Sequence, residues 1–220
     1  MSRLRKLLIT LSAVSILAVV SATAHADTIT IVGVDTGQFS TATVDCVFNA
    51  QTNTFTFTIT NTSAITQPGS TSTITGIGFD LPPLGNASAS GLNGFSGSAS
   101  GLGGNFTFSD ADLGNVPHGF NAAVLDFGFI TGASFAGGSV NDGLAPGESM
   151  SFTVSGAAFA GFTEEQICNA IFVRFQNVNF GAGSDVGVPS EIPEPSTMLL
   201  LGTALIGLGG AVRRRMKRDE

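Results

Sequence analysis

Tryptophan and tyrosine are absent from this 220-residue sequence, histidine and cysteine each occur only twice, and charged residues make up 11%. With Trp and Tyr missing, only phenylalanine remains to stack on a sugar ring. His25 lies in the N-terminal leader, so His118 is the one imidazole of the remaining chain. Zinc sites draw on several soft or imidazole ligands, and no spacing here suggests such a cluster or a Ser-His-Asp constellation. His118 stands in Asn-Val-Pro-His-Gly-Phe, which is expected to be a solvated turn. No catalytic residue, cofactor or metal site is therefore expected.

Basic residues are confined almost entirely to the two ends: Arg3, Arg5 and Lys6, then Arg213, Arg214, Arg215, Lys217 and Arg218. Between Asp27 and Glu194 a single cation, Arg174, faces nine Asp and five Glu, a net charge of −13. So acidic a body is expected to avoid nucleic acid and anionic lipid. Carboxylates alone can hydrolyse a glycoside, but no spacing here marks a pair. Ser109 to Asn115, SDADLGN, has an EF-hand flavour, yet Gly114 stands where a third oxygen ligand belongs and the distal Glu is missing. A turn is expected there.

Both ends carry long apolar runs. MSRLRK precedes LLITLSAVSILAVV, and Ala-His-Ala follows. A charged start, an apolar run and small residues at Ala24 and Ala26 make a secretory signal peptide over 1–26, cleaved by signal peptidase so that the mature chain starts at Asp27. A retained anchor is the alternative. The exported body, 27–190, is long enough for one domain with a real core.

Within it, Asn53 to Asn61, NTFTFTITN, alternates strictly, with Phe55, Phe57 and Ile59 on one face and Thr54, Thr56, Thr58 and Thr60 on the other. This is a half-buried strand. Similar runs at 28–34, 41–48, 73–81, 105–108, 122–130, 149–156 and 170–180 are separated by turn residues such as Pro68-Gly69, Pro82-Pro83 and Asn141-Asp142-Gly143. The pattern predicts an all-β fold: an antiparallel sandwich of jelly-roll or immunoglobulin-like kind. One short helix is expected at Thr163 to Gln166, where Thr and Gln three apart form a capping box.

Residues 85–105, GNASASGLNGFSGSASGLGGN, are too poor in apolar side chains to offset their ordering entropy and are expected to form a mobile loop with at most a weak hairpin. Cys46 and Cys168 are an even count in an exported chain, which favours a disulfide, with two buried thiols as the alternative. The Thr face of 53–61 suggests an ordered water-binding surface, as does Thr71 to Thr75, but one ladder does not make a two-dimensional array and Thr is an ordinary strand residue. Asn61, Asn86 and Asn105 head N-x-S/T triplets, which matter only in a host that glycosylates.

The C-terminus reads EIPEPSTMLLLGTALIGLGGAVRRRMKRDE. Ser196 to Val212 would span about 25 Å as a helix, just short of a bilayer core of about 30 Å. Arg213, Arg214, Arg215, Lys217 and Arg218 behind it would keep the C-terminus cytoplasmic. The glycines at 202, 207, 209 and 210 weaken the span. Pro193-Glu194-Pro195, then an apolar helix, then an Arg cluster resembles the PEP-CTERM sorting signal of Gram-negative bacteria, a tail also known as an ice-binding protein C-terminal domain. The resemblance covers about 191–220. It implies transient anchoring in the inner membrane, recognition of Pro193, Glu194 and Pro195 by exosortase, cleavage near that motif, and delivery to the cell surface or an exopolysaccharide matrix of a biofilm.

The expectation is thus an exported, non-enzymatic β-domain with a structural or adhesive role. A carbohydrate- or ice-binding module, and a carboxylate-based glycosidase, are the alternatives.

Overall fold

The computed structural model describes residues 28–64, 70–83, 92–110, 113–120, 122–178 and 183–190. The expected signal peptide, the expected Pro68-Gly69 turn and the whole sorting tail, with the expected span at 196–212, lie outside the described residues. Among those that are described, no helix is long and apolar enough to cross a membrane.

Ten strands follow one another: β1 Thr28–Gly33, β2 Gly37–Asn49, β3 Thr54–Asn61, β4 Thr73–Phe79, β5 Ser96–Ser100, β6 Thr107–Ser109, β7 Phe127–Ile130, β8 Ser149–Ser155, β9 Ile171–Val178 and β10 Gly183–Pro189. All pairings are antiparallel. The fold is all-β, as its alternation predicts, but its two layers belong to one continuous sheet in the order β5-β8-β3-β2-β1-β10-β9-β4-β7-β6.

Strict alternation does the sorting. In β3 every second residue, Phe55, Phe57 and Ile59, is fully buried, and in β8 Met150, Phe152 and Val154 are buried while hydroxyl residues face outward. The sheet curls until β3 and β8 face β4 and β7 across a phenylalanine core. Phe57 meets Phe79 at 5.2 Å between ring centroids, and Phe129 meets Phe152 at 4.6 Å, both in the offset or edge-on range that aromatic pairs favour. The two ends of the sheet also approach each other, because the Phe108 ring of β6 lies where a side chain at Gly97 of β5 would stand, 2.2 Å from such a Cβ. The result is a nearly closed, flattened barrel.

β4 is buried on both faces. Its outer face is covered by a second apolar cluster of Leu113, Val116, Leu125, Ile130, Phe135 and Val186. Gly78 makes this possible: any Cβ there would come within 2.6 Å of Leu125. Asp126, buried at the start of β7, accepts the Leu81 N–H at 2.7 Å and the Leu92 N–H, tying both segments to the sheet. Burial raises its carboxyl pKa, opposed by those two backbone bonds.

The expected helix is present as α1, Glu164–Cys168, capped by Thr163 with the reciprocal Gln166 contact. Glu164 also accepts the Phe48 N–H at 2.6 Å, so the helix docks on the end of β2. Two expectations need correction, and one strand is unexpected. The mobile loop at 85–105 contains β5, because Ser-Gly-Ser-Ala-Ser pairs along all five residues with β8, and ladder hydrogen bonds replace the apolar burial that composition lacks. The run at 122–130 is a strand only from Phe127, the preceding residues serving as a loop that carries Asp126. β10, Gly-Ser-Asp-Val-Gly-Val-Pro, escapes prediction because its Gly and Asp look like turn residues, whereas Asp185 is buried by specific partners.

Candidate functional site

Asp185 organises a junction of three loops. Its Oδ2 accepts the Thr36 N–H at 2.9 Å and the Thr36 hydroxyl at 2.5 Å, and its Oδ1 accepts the Val186 N–H at 2.7 Å and the Asp35 N–H at 3.3 Å. The turn between β1 and β2 is thereby pinned to β10. Arg174, the one cation of the body, is buried beside it and donates to the Asp185 carbonyl at 3.3 Å. Burial lowers the Arg174 pKa, and the neighbouring Asp185 charge opposes this.

His118 is not the solitary solvated side chain its sequence suggests. Its backbone takes a left-handed conformation, φ 61°, with Gly119 following at φ 91°, so a turn does form there. The imidazole Nδ1 meets the Asp35 carboxylate, and Nε2 lies 3.4 Å from the Ser184 hydroxyl. Asp35, His118 and Asp185 place their ligating atoms within 4.8 Å of one another. That arrangement does not hold a cation well, because both Asp185 oxygens are already occupied by four donors, leaving one exposed carboxylate and one imidazole. The junction is best described as a structural clasp.

The largest regular feature is a hydroxyl face. Thr54, Thr56, Thr58 and Thr60 on β3 stand opposite Ser155, Thr153, Ser151 and Ser149 on β8, and β8 in turn pairs with Ser96, Ser98 and Ser100 on β5. Three adjacent strands therefore carry nothing but Ser and Thr on their outer side. Rows lie about 4.8 Å apart across the strands and about 6.7 Å apart along them. Cross-strand hydroxyl pairs fix the array: Thr58 to Ser151 at 2.8 Å, Thr60 to Ser149 at 2.7 Å and Ser96 to Ser155 at 3.2 Å. In the sequence only the β3 ladder stands out, not its neighbours. The signal was available in the period-two serines of SMSFTVS and SGSAS, but strand order cannot be read from periodicity.

Cys46 of β2 and Cys168 of α1 are joined by a disulfide, with Cα atoms 6.3 Å apart. Ala24, Ala26, Pro193, Glu194, Pro195 and the basic cluster 213–218 lie outside the described residues. Of the SDADLGN segment, residues 111 and 112 lie outside as well.

A family model for the PEP-CTERM protein-sorting motif matches residues 191–215. The chain carries a PEP-CTERM sorting motif. The match takes in Pro193-Glu194-Pro195, the apolar segment and the first arginines of the basic cluster, and supports an exported protein that exosortase sorts after transit through the membrane. It covers the tail and leaves the β-domain unassigned. No curated protein and no solved structure matches the chain significantly.

Proposed function

We propose that this PEP-CTERM protein is a non-enzymatic component of the cell surface or extracellular matrix. In this reading the N-terminal signal exports the acidic body, the C-terminal segment parks it in the inner membrane, and exosortase cuts near Pro193-Glu194-Pro195. The observation that carries the reading is the sorting motif at 191–215. The delivered cargo suits the role: a β-domain with its edges brought together, a disulfide across it and an extended polar face. Curling the edges against each other guards against indiscriminate strand pairing outside the cell. The test is fractionation of producing cells. The body is expected to sediment with insoluble extracellular material; recovery only as a freely soluble secreted protein would contradict the role.

The hydroxyl face favours a second reading, an ice-binding module. An array of Ser and Thr on three adjacent strands, held in two dimensions by backbone pairing, presents hydroxyls at a regular spacing suited to ordering water. If so, the purified protein will facet growing ice crystals, and Thr58→Lys combined with Ser151→Lys will abolish the faceting without unfolding the domain. Rounded, unshaped crystals with the unaltered protein would dismiss this reading.

A further inference from the structure

A cleft of about 500 Å³ opens where the segment after β5, the turn at 140–143 and the start of β4 converge. Nothing in the sorting motif bears on it. Its size falls in the range of small-molecule sites and is far larger than the 2.3–2.6 Å coordination shell of a calcium ion requires.

The cleft is held firmly. Ile74 and Leu144 exchange backbone hydrogen bonds of 2.9 Å in each direction, the Asn105 N–H donates to the Asp142 carbonyl at 2.8 Å, and the buried Asn61 amide donates to the carbonyls of Ser72 and Leu144, each at 2.8 Å. Gly143 lies so close to β4 that a Cβ would come within 2.4 Å of the Ile74 carbonyl oxygen. A site braced in this way loses little conformational freedom when a ligand enters.

The functional groups around it are largely unspent. The side chains of Asn105, Asn141 and Asp142 make no hydrogen bond among the described residues, and Glu148 uses one oxygen to accept the Ala145 N–H at 2.7 Å while keeping the other. Carboxylates and carboxamides side by side are suited to vicinal hydroxyls, since one group accepts from a diol and the other both donates and accepts. Leu102, fully exposed at the rim, offers an apolar contact for the C–H face of a sugar in a chain without Trp or Tyr. Two carboxylates in the cleft, on a body of net charge −13, disfavour uronic or sulfated sugars.

We propose that this cleft binds a neutral oligosaccharide, with Asp142 and Asn105 as its principal hydrogen-bonding groups and Leu102 as its apolar contact. The inference rests on the surface-protein reading and gives that protein a ligand class. No bond in the sugar is made or broken.

The experiment is calorimetric titration of the full-length protein in detergent with neutral glucose-, galactose- and mannose-based tetrasaccharides, beside a tetra-uronate and calcium chloride alone. One neutral tetrasaccharide is expected to bind, Asp142→Ala and Asn105→Ala each to weaken it by about tenfold or more, and Thr58→Lys on the hydroxyl face to leave it unchanged. Circular dichroism of each variant separates lost binding from lost folding, and Leu102→Ala provides a second, fully exposed substitution that is expected to weaken binding without touching the fold. The proposal is overturned if no neutral sugar binds below about 10 mM, if the uronate binds as tightly, if calcium is the only ligand, or if the sugar is cleaved. Delivery is judged separately from the sugar result, by whether the tail is removed, so that either claim can fail while the other stands.

Discussion

Replacing Cys46 and Cys168 together by serine is expected to lower the thermal unfolding midpoint of the body by roughly 8–20 °C. The bridge closes a separation of 122 residues. In the chain-entropy account such a constraint on the unfolded chain stabilises by about 4–5 kcal/mol, and about 1 kcal/mol corresponds to about 2–4 °C for a domain of this size. The disulfide also has a local task. Helix α1 has five residues, too few to persist alone, and it is held by its Thr163 cap, the buried Ile167, the Glu164 contact to β2 and Cys168. A thermal scan by circular dichroism, with and without reductant, checks this; a shift under about 3 °C would mean that packing alone secures the helix.

Replacing Pro193, Glu194 and Pro195 by alanine is expected to trap the protein in the inner membrane. The signal peptide, the apolar segment and the basic cluster are untouched by the change, so translocation and anchoring proceed. Processing stops, because the two prolines that keep the segment extended and the carboxylate between them are gone. Immunoblots of membrane and extracellular fractions should then show the extracellular pool falling to background while total protein holds. Continued release of the variant would place sorting information elsewhere in the chain.

Much of this molecule was legible from its residues. The alternation of Thr and Phe at 54–61 assigned β3 and its buried face without ambiguity, and Thr163 with Gln166 announced the start of α1. Pro193-Glu194-Pro195 with its apolar and basic neighbours marks the sorting tail, where the family model also matches. What escaped depended on non-local partners. Ser96 to Ser100 is a strand because β8 offers backbone partners in register along all five residues and because Phe108 covers Gly97, neither of which composition reveals. Asp185 is buried in a strand because a turn 149 or more residues away supplies its donors. His118 resembles a solvated turn residue in sequence, and only the fold brings Asp35 and Ser184 to its two ring nitrogens. The hydroxyl face was half visible for the same reason: each strand displays its own period, while adjacency belongs to the sheet.

The claim on which the functional account depends is that the β-domain leaves the membrane without its tail. The measurement that tests it most directly is the intact mass of the protein recovered from membrane and extracellular fractions of producing cells. A species running from Asp27 to the neighbourhood of Pro195 in the extracellular fraction is the predicted result. Retention of Ser196 to Glu220 on every copy found at the surface would contradict it and leave a permanently anchored membrane protein.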